Sequence, residues 1–146
     1  SLTKYQINYS LFFYGTLRSL EVRKAVIGES SDNHNISLGY LLKHKVFRVK
    51  NANYPLIKYT NNQVDVVKGL LINNITFEEL KKLDRFEGRN YFRQFVKVNV
   101  DQIHHDAQIY MPSKNMISEE PWDYEKWYKN DMKNFFLNEF DLNGVK

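Results

Sequence analysis

The chain of 146 residues contains no cysteine. That excludes disulfide bonds, thiolate metal sites and a cysteine nucleophile, and it fits a cytoplasmic protein. Long apolar runs are missing as well: none approaches the ~18 residues that a membrane-spanning helix needs. Ser1–Ser10 is too polar for the apolar centre of a signal peptide, so neither a membrane nor a secretory route is expected. Blocks of one charge are also absent. The 21 basic and 17 acidic residues leave a net charge of +4. They are scattered, with no run of about five or six like charges. No nucleic-acid motif accompanies the basic excess, so a solvated basic surface accounts for it and no nucleic-acid partner is expected. Gly-x-Ser-x-Gly elbows and Gly-rich phosphate loops are not found. There is no internal repeat, low-complexity tract or linker, and the length suits one domain with a real core.

What is present is an ordinary folding composition, 42% hydrophobic and 15% aromatic. The organising stretch is Leu11-Phe12-Phe13-Tyr14-Gly15-Thr16-Leu17-Arg18. Its apolar and aromatic start reads as a buried strand that stops at Gly15 and runs into a loop. A strand–glycine–loop junction turns several backbone N–H groups to one side, where anions and carboxylates bind. A plain turn would look the same at this level.

Along the chain, Leu20 to Ile27 reads as a short helix stopped by Gly28, and Glu29 to Asn35 as a loop. Ile36 to Lys50 reads as interrupted extended structure, Tyr54 to Tyr59 as a strand opened by proline, and Val64 to Ile72 as another strand. Gly69 inside that strand marks a bulge or a close approach. Thr76-Phe77-Glu78-Glu79 is a capping box, opening a helix that reaches about Glu87 with Gly88 as its C-terminal cap. Phe77, Leu80, Leu83 and Phe86 form its apolar stripe. On an ideal helix Glu87 lies only about 20° from Leu80 and about 40° from Leu83, on the buried side. Glu78, Glu79, Lys81, Lys82 and Arg85 are expected to face water. Asn90 to Val100 and Ala107 to Met111 read as strands joined by a turn, and Pro112 to Glu120 as a connection. An aromatic helix is expected at about 122–140.

Glu87 is the carboxylate with most chemical interest. Burial on an apolar helix face raises its pKa toward the range of a general base. Pairing with Arg89 or Arg93 would give it a purely structural role instead. His104-His105-Asp106 invites a metal reading, but neighbouring strand residues point to opposite faces, so a hairpin is expected and no metal or cofactor is assigned. His34 and His44 sit in polar surroundings without a specific signal. Trp122 and Trp127 read as core or interface aromatics.

Taken in order, Tyr14-Gly15-Thr16-Leu17-Arg18, Tyr54-Pro55-Leu56, Val67-Lys68-Gly69-Leu70-Leu71, Leu83-Asp84-Arg85-Phe86-Glu87-Gly88, and Tyr91 with Arg93 resemble the gamma-glutamylcyclotransferase-like family, particularly its small gamma-glutamylamine cyclotransferase branch. The match spans roughly Leu11 to Met111. The resemblance implies an α+β (mixed α/β) fold, a small mixed β-barrel with flanking helices forming a single domain over residues 1–146. It also implies a pocket in which the Tyr14–Leu17 loop contacts the amino-acid end of a gamma-glutamyl group. Glu87 matches the family's catalytic glutamate. Tyr14, Gly15, Thr16 and Leu17 carry over as substrate-binding residues, with Tyr54 and Tyr91 beside them.

The expected activity is a cofactor-independent gamma-glutamyl cyclotransferase, in which the substrate's own α-amine attacks its γ-carbonyl and releases 5-oxoproline and an amine. A non-catalytic small-molecule-binding module on the same fold is the alternative. The expected partner is a small gamma-glutamyl molecule, with a monomer favoured. The leaving amine is not fixed by the residues.

Overall fold

The computed structural model describes residues 8–113 and 116–144, with Glu119 described by its backbone alone. Most of the Ser1–Ser10 stretch, read above as too polar for a signal peptide, lies outside the described residues, as do two positions of the Pro112–Glu120 connection. In chain order the elements are β1 (Tyr9–Phe13), a 3-10 turn (Thr16–Arg18), α1 (Leu20–Ile27), a second 3-10 turn (Gly28–Asn33), β2 (Asn35–Leu42), β3 (His44–Val49), β4 (Pro55–Tyr59) and β5 (Val66–Ile75). Then follow α2 (Phe77–Glu87), β6 (Tyr91–Val100), β7 (Ile103–Pro112), β8 (Ser118–Pro121), α3 (Tyr124–Asn130) and α4 (Met132–Asn138).

Strands β1, β5, β2, β6 and β7 close into a barrel in that order, and β4, β3 and β8 form a separate small sheet. The barrel is mixed. Its pairs are antiparallel except β1 with β7, which run parallel where Leu11 meets Gln108. No helix among the described residues is long and apolar enough to cross a membrane.

Strand β1 is buried on both faces because its two side-chain sets serve two cores. Leu11 and Phe13 join α1, α2, Trp127 and Phe135 in the core outside the barrel. Phe12 and Tyr14 point the other way, into the barrel with Val67, Leu71, Val98 and Ile109. This is the period-two alternation of a strand with no solvent face. Gly69 makes the interior possible. A Cβ there would stand 2.6 Å from the Phe12 ring and 2.5 Å from the Phe13 carbonyl oxygen. The close-approach reading of Gly69 is the one that applies.

The capping box forms as expected. The Thr76 hydroxyl accepts from the Glu79 N–H and Glu79 accepts from the Thr76 N–H, while Gly88 closes α2 at φ 77°. Glu79 itself does not face water. It is buried, accepting from Ser30 Oγ at 2.5 Å and lying 2.9 Å from His34 Nε2. The cap turns its carboxylate back over the helix start, toward the Gly28–Asn33 turn, instead of outward. His34 is therefore a buried partner and not an isolated surface group. His44 is buried too, with Nδ1 2.8 Å from the Leu42 carbonyl.

The C-terminal region differs from one continuous helix. Ser118–Pro121 pairs with β3 as strand β8, and the helical part breaks into α3 and α4 at Asp131 (φ −121°, ψ −13°). The aromatic spacing holds across the break, because both helices turn their rings to the outer core. Trp127 and Phe135 meet edge-on at 5.6 Å, and Phe140 packs on Phe86 at 5.4 Å.

Candidate active site

Five segments meet in one cavity: the end of β1 with its loop, the start of β4, the end of α2, the start of β6 and β7 at Tyr110. Its lining includes Tyr14, Gly15, Thr16, Leu17, Tyr54, Glu87 and Tyr91, together with Phe12, Phe13, Pro55, Phe86 and Tyr110. All seven residues singled out from the sequence thus lie on one cavity. Gly15, Tyr54, Glu87 and Tyr91 are only half-buried and make its rim, while the other lining residues are buried. The enclosed space is about 30 Å³, room for about a water molecule, so a larger ligand has most of its atoms at the rim.

The loop is built for close packing. Gly15 has φ −120°, a value open to any residue, so its glycine is required by space and not by handedness. A Cβ at position 15 would stand 2.8 Å from Pro55 Cγ. The turn after it uses the Gly15 and Thr16 carbonyls, which accept from the Arg18 and Ser19 N–H groups. Among the described residues, the N–H groups of Gly15, Thr16 and Leu17 donate to no protein acceptor. Three successive unused donors on residues that line a cavity are groups of the kind that bind anions.

Glu87 ends α2 on its apolar side, after Leu80 and Leu83. Its carboxyl accepts no hydrogen bond and makes no ion pair among the described residues. The Arg93 partnership weighed from the sequence goes elsewhere. Arg93 Nε and one of its terminal nitrogens bond Asp84 at 2.9 and 3.2 Å, and its other terminal nitrogen donates to Gln108 at 2.8 Å. Tyr110 completes this network by donating to Asp84 at 2.6 Å. Burial, and then the Asp84 charge one helical turn earlier, push the Glu87 carboxyl up to about 8.

Three of the tyrosine hydroxyls are already committed to protein acceptors. Tyr14 donates to the Tyr110 carbonyl at 2.6 Å and Tyr91 to the Pro55 carbonyl at 3.1 Å. Burial raises Tyr14, Tyr91 and Tyr110 well above the ordinary phenol value, with the Glu87 charge adding to each. They stay protonated and act as walls and donors. Tyr54 is held from the far end of the chain, because Glu139 accepts from the neighbouring Asn53 N–H at 2.9 Å and from its side-chain amide at 2.6 Å.

Tyr110 and Asp84 are the contributors that sequence reasoning undervalued. The signal for Tyr110 was its register: it lies directly opposite Arg93 in the β6–β7 pair, and register is set by a hairpin that residue patterns locate only roughly.

This fold and this cavity define a member of the gamma-glutamyl cyclotransferase, AIG2-like family, whose model matches residues 11–129. The chain belongs to that family. It is 29% identical over 131 residues to AIG2-like protein C of Arabidopsis thaliana, covering 87% of this chain and 73% of that protein. It is 26% identical to Protein AIG2 A of the same plant, covering 88% of this chain and 75% of that one. Among solved structures, an Arabidopsis thaliana protein determined in solution superposes with a TM-score of 0.69 at 20% identity, over 94% of this chain and 82% of that one. A gamma-glutamyl cyclotransferase superposes at 0.65 and 17% identity, over 96% and 89%. At these identities the structural likeness establishes the shared fold.

Proposed function

We propose that the protein is a cofactor-independent gamma-glutamyl cyclotransferase with Glu87 as its general acid and base. The observation that carries this reading is the pairing of one unpartnered carboxyl with three unused backbone N–H groups on a single cavity. The family membership supports it.

The chemistry needs no nucleophile from the protein. The substrate's α-amine attacks its own γ-carbonyl carbon, a C–N bond forms, and the five-membered lactam of 5-oxoproline closes. The original amide C–N bond then breaks. Two protons leave the α-ammonium nitrogen, one before the attack and one as the ring closes. Two join the departing nitrogen, which leaves as an ammonium ion, so a group that accepts and then donates at each of the two stages balances the reaction. Glu87, with a pKa of about 8, exchanges protons readily near neutrality. The N–H groups of Gly15, Thr16 and Leu17 hold the substrate's α-carboxylate or its developing oxyanion. Tyr14, Tyr54 and Tyr91 confine the chain in the folded-back shape that ring closure requires, and such orientation supplies up to about 7–11 kcal/mol in model reactions.

The test is a panel of gamma-glutamyl amines and peptides scored for 5-oxoproline. Wild-type turnover, lost in Glu87→Gln, is the expected result. Equal activity in both proteins overturns the role of Glu87. Binding of a panel member without turnover by the wild type identifies a binding module. The lack of cysteine supports a cytoplasmic setting, which cell fractionation tests.

A further inference from the structure

A second, larger cleft lies at the seam between the barrel and the small sheet, beside the candidate site. Tyr14 lines both. Leu17 lines the cavity, and the next residue, Arg18, lines the cleft. The cleft holds about 350 Å³. Its charged side chains are Arg18, Lys45, Lys68 and one carboxylate, Asp65. None of these four is in an ion pair among the described residues.

Arg18 is the distinctive member. Its guanidinium lies 4.1 Å from the centroid of the Tyr124 ring. Its Nε is buried without a hydrogen-bond partner, and no protein group among the described residues accepts from its side chain. The terminal nitrogens are not among the buried unpartnered atoms, so they keep access to solvent, and the residue lines the cleft. Burial lowers its pKa from the ordinary guanidinium value, and Tyr124, Glu125 and Asp123 partly offset this by favouring its charge without bonding it. A half-buried guanidinium fixed on an aromatic face, with its donor fork unused, is poised for a planar carboxylate. Lys45 and Lys68 add positive potential at the same opening.

We infer that Arg18 and this cleft form a second subsite, which binds a carboxylate carried by the departing half of the substrate. The inference rests on the cyclotransferase reading for the word "departing", and it selects gamma-glutamyl amino acids or peptides over gamma-glutamyl derivatives of plain amines.

Matched substrates test it. Gamma-glutamyl-alanine and gamma-glutamyl-ethylamide differ only by the carboxylate, as do gamma-glutamyl-6-aminohexanoate and gamma-glutamyl-pentylamide, which carry it further out. In at least one pair the acid is favoured in kcat/KM by about tenfold or more, a size expected when a charged donor loses its acceptor. Arg18→Gln abolishes that ratio through KM, and Arg18→Lys keeps part of it. A ratio near one for both pairs in the wild type overturns the subsite, and so does an Arg18→Gln loss that falls equally on acid and amide. The latter is what a merely structural stacking role on Tyr124 would produce.

Calorimetry of the same pairs, on the wild type and on Arg18→Gln, separates the two readings. If nothing turns over but the wild type binds the acid more tightly and Arg18→Gln does not, the cyclotransferase reading falls and the carboxylate subsite stands. If neither acid binds in preference to its amide, the subsite falls whatever the turnover.

Discussion

Glu87 differs from Tyr14, Tyr91 and Tyr110 in having side-chain oxygens that no protein group claims among the described residues. The tyrosine hydroxyls at 14, 91 and 110 are all engaged with protein acceptors, so loss of the carboxyl leaves no local replacement. Glu87→Gln should lower kcat/KM by about 10²–10⁴-fold, the usual contribution of a positioned acid or base, with little effect on thermal stability at acid pH, below the solvated value of 4.5. The base must be ionised to accept the α-ammonium proton, so wild-type activity should climb with pH around a midpoint near 8. Asp84 contributes to that position by its charge. Asp84→Asn should therefore move the midpoint to lower pH, whereas a purely structural loss would reduce activity at every pH alike. At Gly15 the constraint is steric. Gly15→Ala places a methyl 2.8 Å from Pro55 Cγ, and the overpacking should cost about 1–3 kcal/mol in denaturant unfolding. It should also weaken substrate binding, because the displaced backbone carries the free N–H groups.

Among the elements, α2 was the most legible. Its capping box, apolar stripe and terminal glycine are local features, and local features are what a sequence records. The side on which Glu87 lies followed from helix geometry alone. Glu79 shows where that method stops. Its spacing marks it as a cap, but the Ser30 and His34 partners that bury it arrive from a turn over forty residues away in sequence. The split of the C-terminal helix at Asp131 was equally hidden, since aromatic spacing persists through the break. Strand β8 was missed because a short edge strand has no period to detect. Burial alone would raise the Glu79 carboxyl, but bonds from Ser30, Thr76 and His34 outweigh it and hold it below its ordinary value. The stability this group lends is thus present above the ordinary glutamate range and lost as pH falls through the lowered value. Thr76→Ala should cost about 1 kcal/mol, and Glu79→Gln should flatten the acid limb of stability. At the other end of the fold, Glu139→Ala should release Asn53. Faster amide exchange at Asn53, with a raised KM and unchanged global stability, is the expected signature of a loosened Tyr54 wall.

At the scale of the molecule, the cavity draws its walls from residues 12–17, 54–55, 86–87, 91 and 110, so it exists only when the barrel, the small sheet and α2 are all in place. The order of these motifs along the chain pointed to a family. No local pattern could tell that they converge, because the convergence depends on the closure of β1 on β7. The barrel end of β1 thus fixes the distance between the loop and α2. Folding and protonation are coupled through the same carboxyl. Glu87 has a pKa of 4.5 when solvated and about 8 in the native chain, so the native state holds more protons between these values. Its contribution to stability is full below the lower value and disappears as pH rises to the upper one. Urea midpoints for wild type and Glu87→Gln should therefore draw apart as pH rises from 4.5 to about 8 and keep a constant gap above that, with the variant the more stable. The formal charge of +4 treats this group as ionised. The native molecule at pH 7 should instead migrate as if it carried almost one further positive charge, and unfolding it there should release nearly one proton to the buffer. Native electrophoresis should accordingly fail to separate wild type from Glu87→Gln at pH 6 and should resolve them by a full charge well above pH 8.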